Sequence, residues 1–222
     1  MADGKWVSTE AMQKWLIACG FIAVAVDVLL TFGLAAIDPE YSHSQQYISE
    51  LGATGRPYAA VFNTWCVVYG ILIAGFAVTL GRGLDSRPAL IAFLVIAATS
   101  AVSGIFPCDP GCACQTSTAK VHMLIGYVSL PAIIVAQLIA WSAMKGQEAW
   151  HRYRLFTFAS VILLMAGTNW LAACHFVGRE NQGCAVGAAQ RLVMGTQYTW
   201  ILVIAVQLWR LQTRSRPMET LQ

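Results

Sequence analysis

Long uninterrupted apolar runs make up most of this chain, and the polar residues are concentrated between them. A helix that crosses a hydrocarbon core roughly 30 Å thick needs about 20 apolar residues. Six runs are long enough, which predicts transmembrane helices over residues 15–37, 58–80, 88–106, 121–144, 155–177 and 187–209. The runs are continuous rather than alternating, and a helix pairs every backbone group within its own segment, so we predict an all-α fold.

Composition agrees with this class of protein. The chain is 57% hydrophobic and 11% charged, whereas typical soluble domains contain about 25% charged residues. Its net charge is +3, too small for the dense basic face that nucleic-acid binding requires. We therefore predict that residues 1–222 form a single transmembrane domain of a multi-pass cell-membrane protein. The expected partners are membrane lipids, with no nucleic acid.

Lysine and arginine are distributed unevenly between the two sides of the predicted bundle. With the N-terminus inside, ten cations fall on the inner side: Lys5, Lys14, Arg82, Arg87, Lys145, Arg152, Arg154, Arg210, Arg214 and Arg216. Four fall on the outer side: Arg56, Lys120, Arg179 and Arg191. Because cytoplasmic loops carry an excess of lysine and arginine, this distribution predicts that both termini are cytoplasmic.

The cysteines give a separate indication of the outer side. Of the seven cysteines, four fall in predicted outer connections, namely Cys108, Cys112, Cys114 and Cys184. Disulfides persist in an oxidising outer compartment. The pairings we expect are Cys108 with Cys112 or Cys114, and one of these three with Cys184. The Cys-x3-Cys-x-Cys spacing matches no common zinc pattern, so no metal site is predicted from it.

One acid lies where lipid makes charge costly. Asp27 is in the middle of the first predicted span, so it must face the bundle interior, be protonated or find a hydrogen-bond donor. The partners that we expect are Asn63, Asn169 or a hydroxyl group.

Other polar residues collect at the predicted outer ends of the spans, where they can converge on one site. This candidate ligand-binding cluster contains Ser49, Glu50, Asp109, His122, Asn169, His175, Gln190 and Arg191. Asn169 and His175 are six residues apart on one predicted helix, a rotation of about 600°, which puts them on roughly opposite faces.

Several members of this cluster also have a purely structural interpretation. Ser49 and Glu50 can cap a short surface helix, and Asp109 precedes Pro-Gly, a common turn sequence. His122 can be a hydrogen-bonded residue at the membrane interface, behind a Thr116–Thr118 stretch suited to capping the fourth helix. Arg191 can extend to lipid headgroups or pair with an acid such as Glu50 or Asp109.

Short motifs spread along the chain resemble a known family. They are Ser49-Glu50-Leu51-Gly52, Phe62-Asn63, Gly104-x-Phe106-Pro107-x-Asp109, and His122 with Gly126. This pattern is similar to that of the family named domain of unknown function 998, six-span membrane proteins mainly from prokaryotes. The resemblance covers about residues 15–209 and implies an architecture, but the family carries no established activity.

Two classes of function are compatible with these residues. The first is a six-helix bundle whose outer polar pocket binds a lipid- or quinone-like amphiphile, with a variant in which the protein is an accessory subunit of a larger membrane complex. The second is a metal-dependent hydrolase acting on a lipid or amide at the outer leaflet, with His122, His175 and either Asp109 or Glu50 around the metal. Transport or proton transfer along Asp27 has less support.

The binding or accessory role is the preferred hypothesis, because the sequence contains no unambiguous catalytic constellation. Whether the protein is an enzyme, and which cofactor it would use, are left open by the sequence.

Overall fold

The computed structural model describes residues 3–177 and 184–214, with residues 3–9 and Val177 described by their backbone alone. Over these ranges the protein is all-helical and contains no strand. The six long helices are α1 (Asp3–Ala36), α2 (Ala59–Gly83), α3 (Arg87–Ile105), α4 (Ser117–Ala143), α5 (His151–Val177) and α6 (Val186–Arg214). Short 3-10 helices lie in the connections at Ile48–Gly52, Pro110–Cys112 and Glu148–Trp150.

All six long helices have the length and apolar character that crossing a membrane requires, which confirms the six predicted spans and makes this a multi-pass membrane protein. Most helices extend a few residues beyond the apolar runs, because a helix continues until a cap ends it. The Ser86 side chain accepts a hydrogen bond from the Ala89 amide and starts α3. Thr116 does the same for α4 through the Ala119 amide, as the sequence predicted.

Each helix packs against its neighbours in sequence, and α6 packs against α1, so the six helices form a closed ring. Gln212 near the end of α6 donates a 3.0 Å hydrogen bond to the carbonyl of Glu10 in α1. On the same side, Trp150 Nε1 donates to the Gly83 carbonyl at 3.0 Å. This bond joins the connection between α4 and α5 to the end of α2. We call this side the terminal end, and the opposite side, with connections 37–58 and 106–116 and the start of α6, the loop end.

Large side chains fill the half of the ring nearest the terminal end. Phe76, Phe93 and Trp200 are fully buried, with Phe93 stacked on Trp200 at a centroid distance of 5.2 Å. Trp150 and Leu80 are also buried there. This half of the bundle is therefore closely packed around aromatic side chains.

The connection between α1 and α2 covers the loop end and is held against the start of α6. The amide of Gly187 donates to the Ser44 carbonyl at 2.9 Å. A Cβ at position 187 would collide with the carbonyl oxygens of His43 and Gln46, so only glycine allows this approach. This backbone contact holds the connection between α1 and α2 over the space that the ring of helices encloses.

Candidate functional site

A cavity of about 360 Å³ occupies the interior of the bundle near the loop end. This volume lies within the range of roughly 300–1,000 Å³ that is typical of small-molecule sites. Side chains from all six long helices contribute to its wall, most of them apolar. Of the residues predicted from the sequence, the cavity brings together Asp27, Ser49, His122, His175 and Gln190.

Asp27 forms the deep polar end of this cavity. Its Oδ1 accepts a 2.8 Å hydrogen bond from Trp65 Nε1, and its Oδ2 accepts one from the Tyr198 hydroxyl. Tyr69 lies beside both donors, its ring centroid 6.4 Å from each of theirs. The expectation of a hydroxyl partner is confirmed by Tyr198, whereas Asn63 instead donates to the Gly52 carbonyl.

A pair of glutamines that the sequence reading missed lies across the bundle interior. Gln137 of α4 donates from Nε2 to Oε1 of Gln197 of α6 at 2.8 Å, and both side chains are buried. Gln197 lines the cavity, and no residue that the structure describes accepts a hydrogen bond from its Nε2. The sequence feature that could have identified this pair is the position of both amide side chains in the middle of predicted spans, where polar groups are costly.

His122 lies in the cavity wall near the loop end. Its Nδ1 is 2.8 Å from the Phe106 carbonyl oxygen and 3.4 Å from Ser103 Oγ. A carbonyl oxygen only accepts hydrogen bonds, so Nδ1 carries the proton. In the neutral ring Nε2 is then an acceptor. The imidazole therefore joins the end of α3 to the start of α4.

His175 lies on the opposite side of the cavity mouth and joins α4, α5 and the first connection. Its Nε2 is 2.9 Å from the Tyr127 hydroxyl, and its Nδ1 is 3.4 Å from that of Tyr47. Both tyrosines line the cavity, and neither was predicted from the sequence. Tyrosine hydroxyls give no distinct signal in a sequence rich in aromatic residues.

The wall between α4 and α5 is the part of the cavity that faces outward. Tyr127 is 55% exposed and Phe176 is 85% exposed, although both line the cavity. Pro131 lies inside α4 and has no amide hydrogen, so the Tyr127 carbonyl loses its usual helical partner. No side-chain atom fills the space around Gly126, where an added Cβ would meet nothing within 4 Å.

Glu50 and Asp109 have structural roles outside the cavity lining. Glu50 is buried and accepts hydrogen bonds from the Tyr47 amide at 3.0 Å and Gln46 Nε2 at 3.1 Å. Asp109 accepts from both the amide and the hydroxyl of Thr116 and from the Gln115 amide, each within 2.9 Å. These bonds, above all the Thr116 amide, hold the pKa of Asp109 below its ordinary value.

Arg191 holds the first connection in place. Its guanidinium donates to the His43 carbonyl, to the Gly187 carbonyl at 3.0 Å and to the Tyr41 hydroxyl at 2.7 Å. Among the described residues it is thus bonded to backbone and tyrosine oxygens, and it forms no ion pair with Glu50 or Asp109.

Asn169 is exposed and donates to the Met165 carbonyl of its own helix. It lies away from the cavity that His175 lines, which agrees with the opposite helix faces that their spacing predicted.

The metal set of the hydrolase hypothesis is not assembled. In residues 3–177 and 184–214, no three or more histidine, cysteine, aspartate or glutamate side chains are grouped closely enough to hold a metal ion. The Asp109 carboxylate accepts hydrogen bonds in the turn before α4, while His122 and His175 have separate hydrogen-bond partners.

The predicted pairing of Cys184 is wrong. Its sulfur lies within disulfide-bonding distance of Cys174, at a Cα–Cα distance of 5.3 Å. Cys174 lies in the last turn of α5 and Cys184 lies two residues before α6, whereas Cys108 and Cys112 contact Ser49 in the first connection.

Cys108, Cys112 and Cys114 lie outside the Cys174–Cys184 pair. The sulfurs of Cys108 and Cys112 are 2.9 Å apart and share a hydrogen bond. That contact, together with burial, raises the pKa of the Cys108 thiol. Cys114 is exposed and takes part in no disulfide. Cys108 and Cys112 are therefore adjacent, as their predicted linkage requires, but the contact between their sulfurs is a hydrogen bond.

With this architecture established, comparison with known proteins gives a family. The family model described as Protein of unknown function (DUF998) matches residues 13–207, which is most of the chain and covers all six helices. The chain belongs to the DUF998 family. This confirms the resemblance carried by the short motifs, and the DUF998 match extends over the residues that line the cavity. No curated protein and no solved structure matches the chain.

Proposed function

We propose that this DUF998 protein binds an amphiphile in the cavity near the loop end. The observation that carries this proposal is the cavity itself, about 360 Å³ with mostly apolar walls and a few convergent polar groups. Apolar pockets with a few polar groups that fix orientation are the common form of small-molecule sites. The apolar part of the ligand would contact side chains such as Phe62, Ile96 and Leu130.

An incomplete hydrogen bond supports a ligand with a polar group. Gln197 is 1% exposed and lines the cavity, yet its Nε2 has no hydrogen-bond partner within residues 3–177 and 184–214. A buried donor without a partner costs about 1–3 kcal/mol. A bound molecule with an acceptor oxygen near Gln197 would remove this cost.

The exposed wall between α4 and α5 supports entry from the membrane. Tyr127 and Phe176 both line the cavity and are largely exposed on the outside of the bundle. In a membrane-embedded bundle such side chains face lipid rather than water. A lipid-like molecule would therefore pass laterally between α4 and α5, beside the Tyr127–His175 hydrogen bond.

We also infer that the loop end faces outward from the cell membrane. The excess of lysine and arginine at the terminal end supports this orientation. Two of the counted cations, Arg179 and Arg216, lie outside the described residues. The Cys174–Cys184 pair at the loop end agrees with an oxidising compartment on that side. No contact favours the hydrolase or the accessory role, so neither is proposed.

Filling the cavity tests the proposal. Gly126 lines the cavity and has open space around it, so Gly126→Leu would occupy the ligand volume without a clash at Cβ. Gly195 on α6 also has nothing within 4 Å of an added Cβ but does not line the cavity, and Gly195→Leu is the matched control. Native mass spectrometry of protein purified in mild detergent should show a bound amphiphile in the wild type and in Gly195→Leu.

Gly126→Leu should lose this bound mass while keeping the melting temperature of the control. Equal retention by both variants would contradict binding in this cavity, as would absence of any bound amphiphile in the wild type.

A further inference from the structure

The lining of the cavity has an unbalanced set of charges. Asp27 is its one carboxylate, and no lysine or arginine lines it among the residues that the structure describes. None of the salt bridges formed by this part of the chain involves Asp27. A buried carboxylate without a nearby cation is costly, so a counter-charge delivered by a ligand would be strongly favoured.

The hydrogen-bonding pattern at Asp27 leaves room for such a ligand. Trp65 and Tyr198 each donate to a different carboxylate oxygen. Two carboxylate oxygens together have about four acceptor positions, so acceptor capacity remains. A quinone offers only acceptor oxygens, whereas an amine offers both hydrogen-bond donors and a positive charge that complements a carboxylate.

Aromatic rings beside Asp27 add to this preference. Tyr69 and Tyr198 both line the cavity, and their ring centroids are 6.4 Å apart. The faces of aromatic rings attract ammonium groups when these lie within about 6 Å of the ring centroid. A carboxylate flanked by tyrosines therefore has the chemistry of a site for an organic cation.

We propose that the amphiphile bound in this cavity carries a cationic amine, which lies against Asp27 beside the rings of Tyr69 and Tyr198. The inference rests on the proposed function and narrows its ligand class. An acceptor oxygen close to the amine would reach Gln197 Nε2, so a headgroup with both features would satisfy the polar groups at the deep end.

A series of probes with equal chain length tests the charge preference. Dodecylammonium, dodecanol and dodecanoate are titrated calorimetrically into the full chain in neutral detergent, with protein-free micelles as the blank. The wild type should bind dodecylammonium about tenfold or more tightly than dodecanol, because hydrogen bonds to charged groups are strong. Dodecanoate should bind weakest, since its charge repels that of Asp27.

Asp27→Asn should remove the preference for the cation, so that dodecylammonium and dodecanol bind within about twofold of each other. Equal affinities of the wild type for dodecylammonium and dodecanol would overturn the inference, and this comparison holds even if the variant fails to fold. If the wild type bound dodecylammonium and dodecanol equally and Gly126→Leu abolished the binding of both, the cavity proposal would stand. The inferred preference for a cation would then fail. Absence of binding by all three probes would count against both.

Discussion

The side-chain amide of Gln137 donates a 2.8 Å hydrogen bond to the side-chain carbonyl of Gln197, and both residues are almost wholly buried. This bond joins α4 to α6 across the bundle, at the floor of the cavity. Gln137 Oε1 and Gln197 Nε2 have no partner in the described part of the protein. The pair is therefore a polar link whose hydrogen bonding is only half complete.

This half-complete link predicts that single substitutions destabilise the protein whereas the double substitution does not. Gln137→Met or Gln197→Met alone leaves the remaining amide without a partner and should lower the free energy of unfolding by about 1–3 kcal/mol. The double variant removes both polar groups and should be close to the wild type. Unfolding in mixed micelles measures all three variants. A double variant whose loss equals the sum of the single losses would contradict this view.

The Cys174–Cys184 link predicts a specific peptide map. Digestion without reduction should give one joined pair containing these residues, while Cys114 is alkylated in the folded protein. The double variant Cys174→Ser/Cys184→Ser should lose about 2–3 kcal/mol of stability, as expected for closing a short loop. Cys19→Ser, in the middle of α1, provides a control cysteine. Recovery of Cys184 joined to Cys108, Cys112 or Cys114 would show the pairing to be different.

His43 predicts how stability depends on pH at the loop end. Burial and then the positive charge of Arg191 lower the pKa of His43 from 6.5. The folded state therefore binds the proton less readily than the unfolded state, so the stability is present above pH 6.5 and is lost as the pH falls below it. The melting temperature should be lower at about pH 5.5 than at about pH 7.5.

His43→Gln should reduce this difference, whereas His151→Gln at the terminal end should keep it. The two variants share the same chemical change, so a general effect of losing a histidine would appear in both. An unchanged pH dependence in His43→Gln would exclude His43 as its source.

Cys114 reports the orientation of the bundle. It is the exposed thiol among the free cysteines that the structure describes, and it lies at the loop end. If this end faces outward, a membrane-impermeant maleimide should label the protein in intact spheroplasts, and Cys114→Ser should abolish the labelling. Labelling that requires lysis would place the loop end in the cytoplasm and reverse the orientation inferred from the charges.

Features that depend on local sequence could be predicted. The six spans follow from run length and hydropathy, and the Thr116 cap follows from a hydroxyl residue before an apolar run. Asp27 could be singled out because a charge in the middle of a span needs a partner. Each of these inferences uses only neighbours along the chain or the properties of the membrane.

Features that depend on which helix faces meet could not be predicted. The Cys174–Cys184 pairing, the clamp formed by Arg191 and the contact between Tyr127 and His175 each join separate elements. The helices are apolar on nearly every side, so the sequence gives little indication of which face points inward. Glu50 and Asp109 lie in connections, and the sequence did not show that backbone amides in their own loops hold them.

The most direct test of the central claim is an experimental density map of the full chain purified from its own membrane in mild detergent. Binding of an amphiphile predicts elongated density in the cavity, running from the gap between Tyr127 and Phe176 toward Asp27. The same density should be absent from Gly126→Leu and present in Gly195→Leu. A wild-type map in which side chains close the cavity, or in which it contains only separate water-sized peaks, would contradict the proposed function.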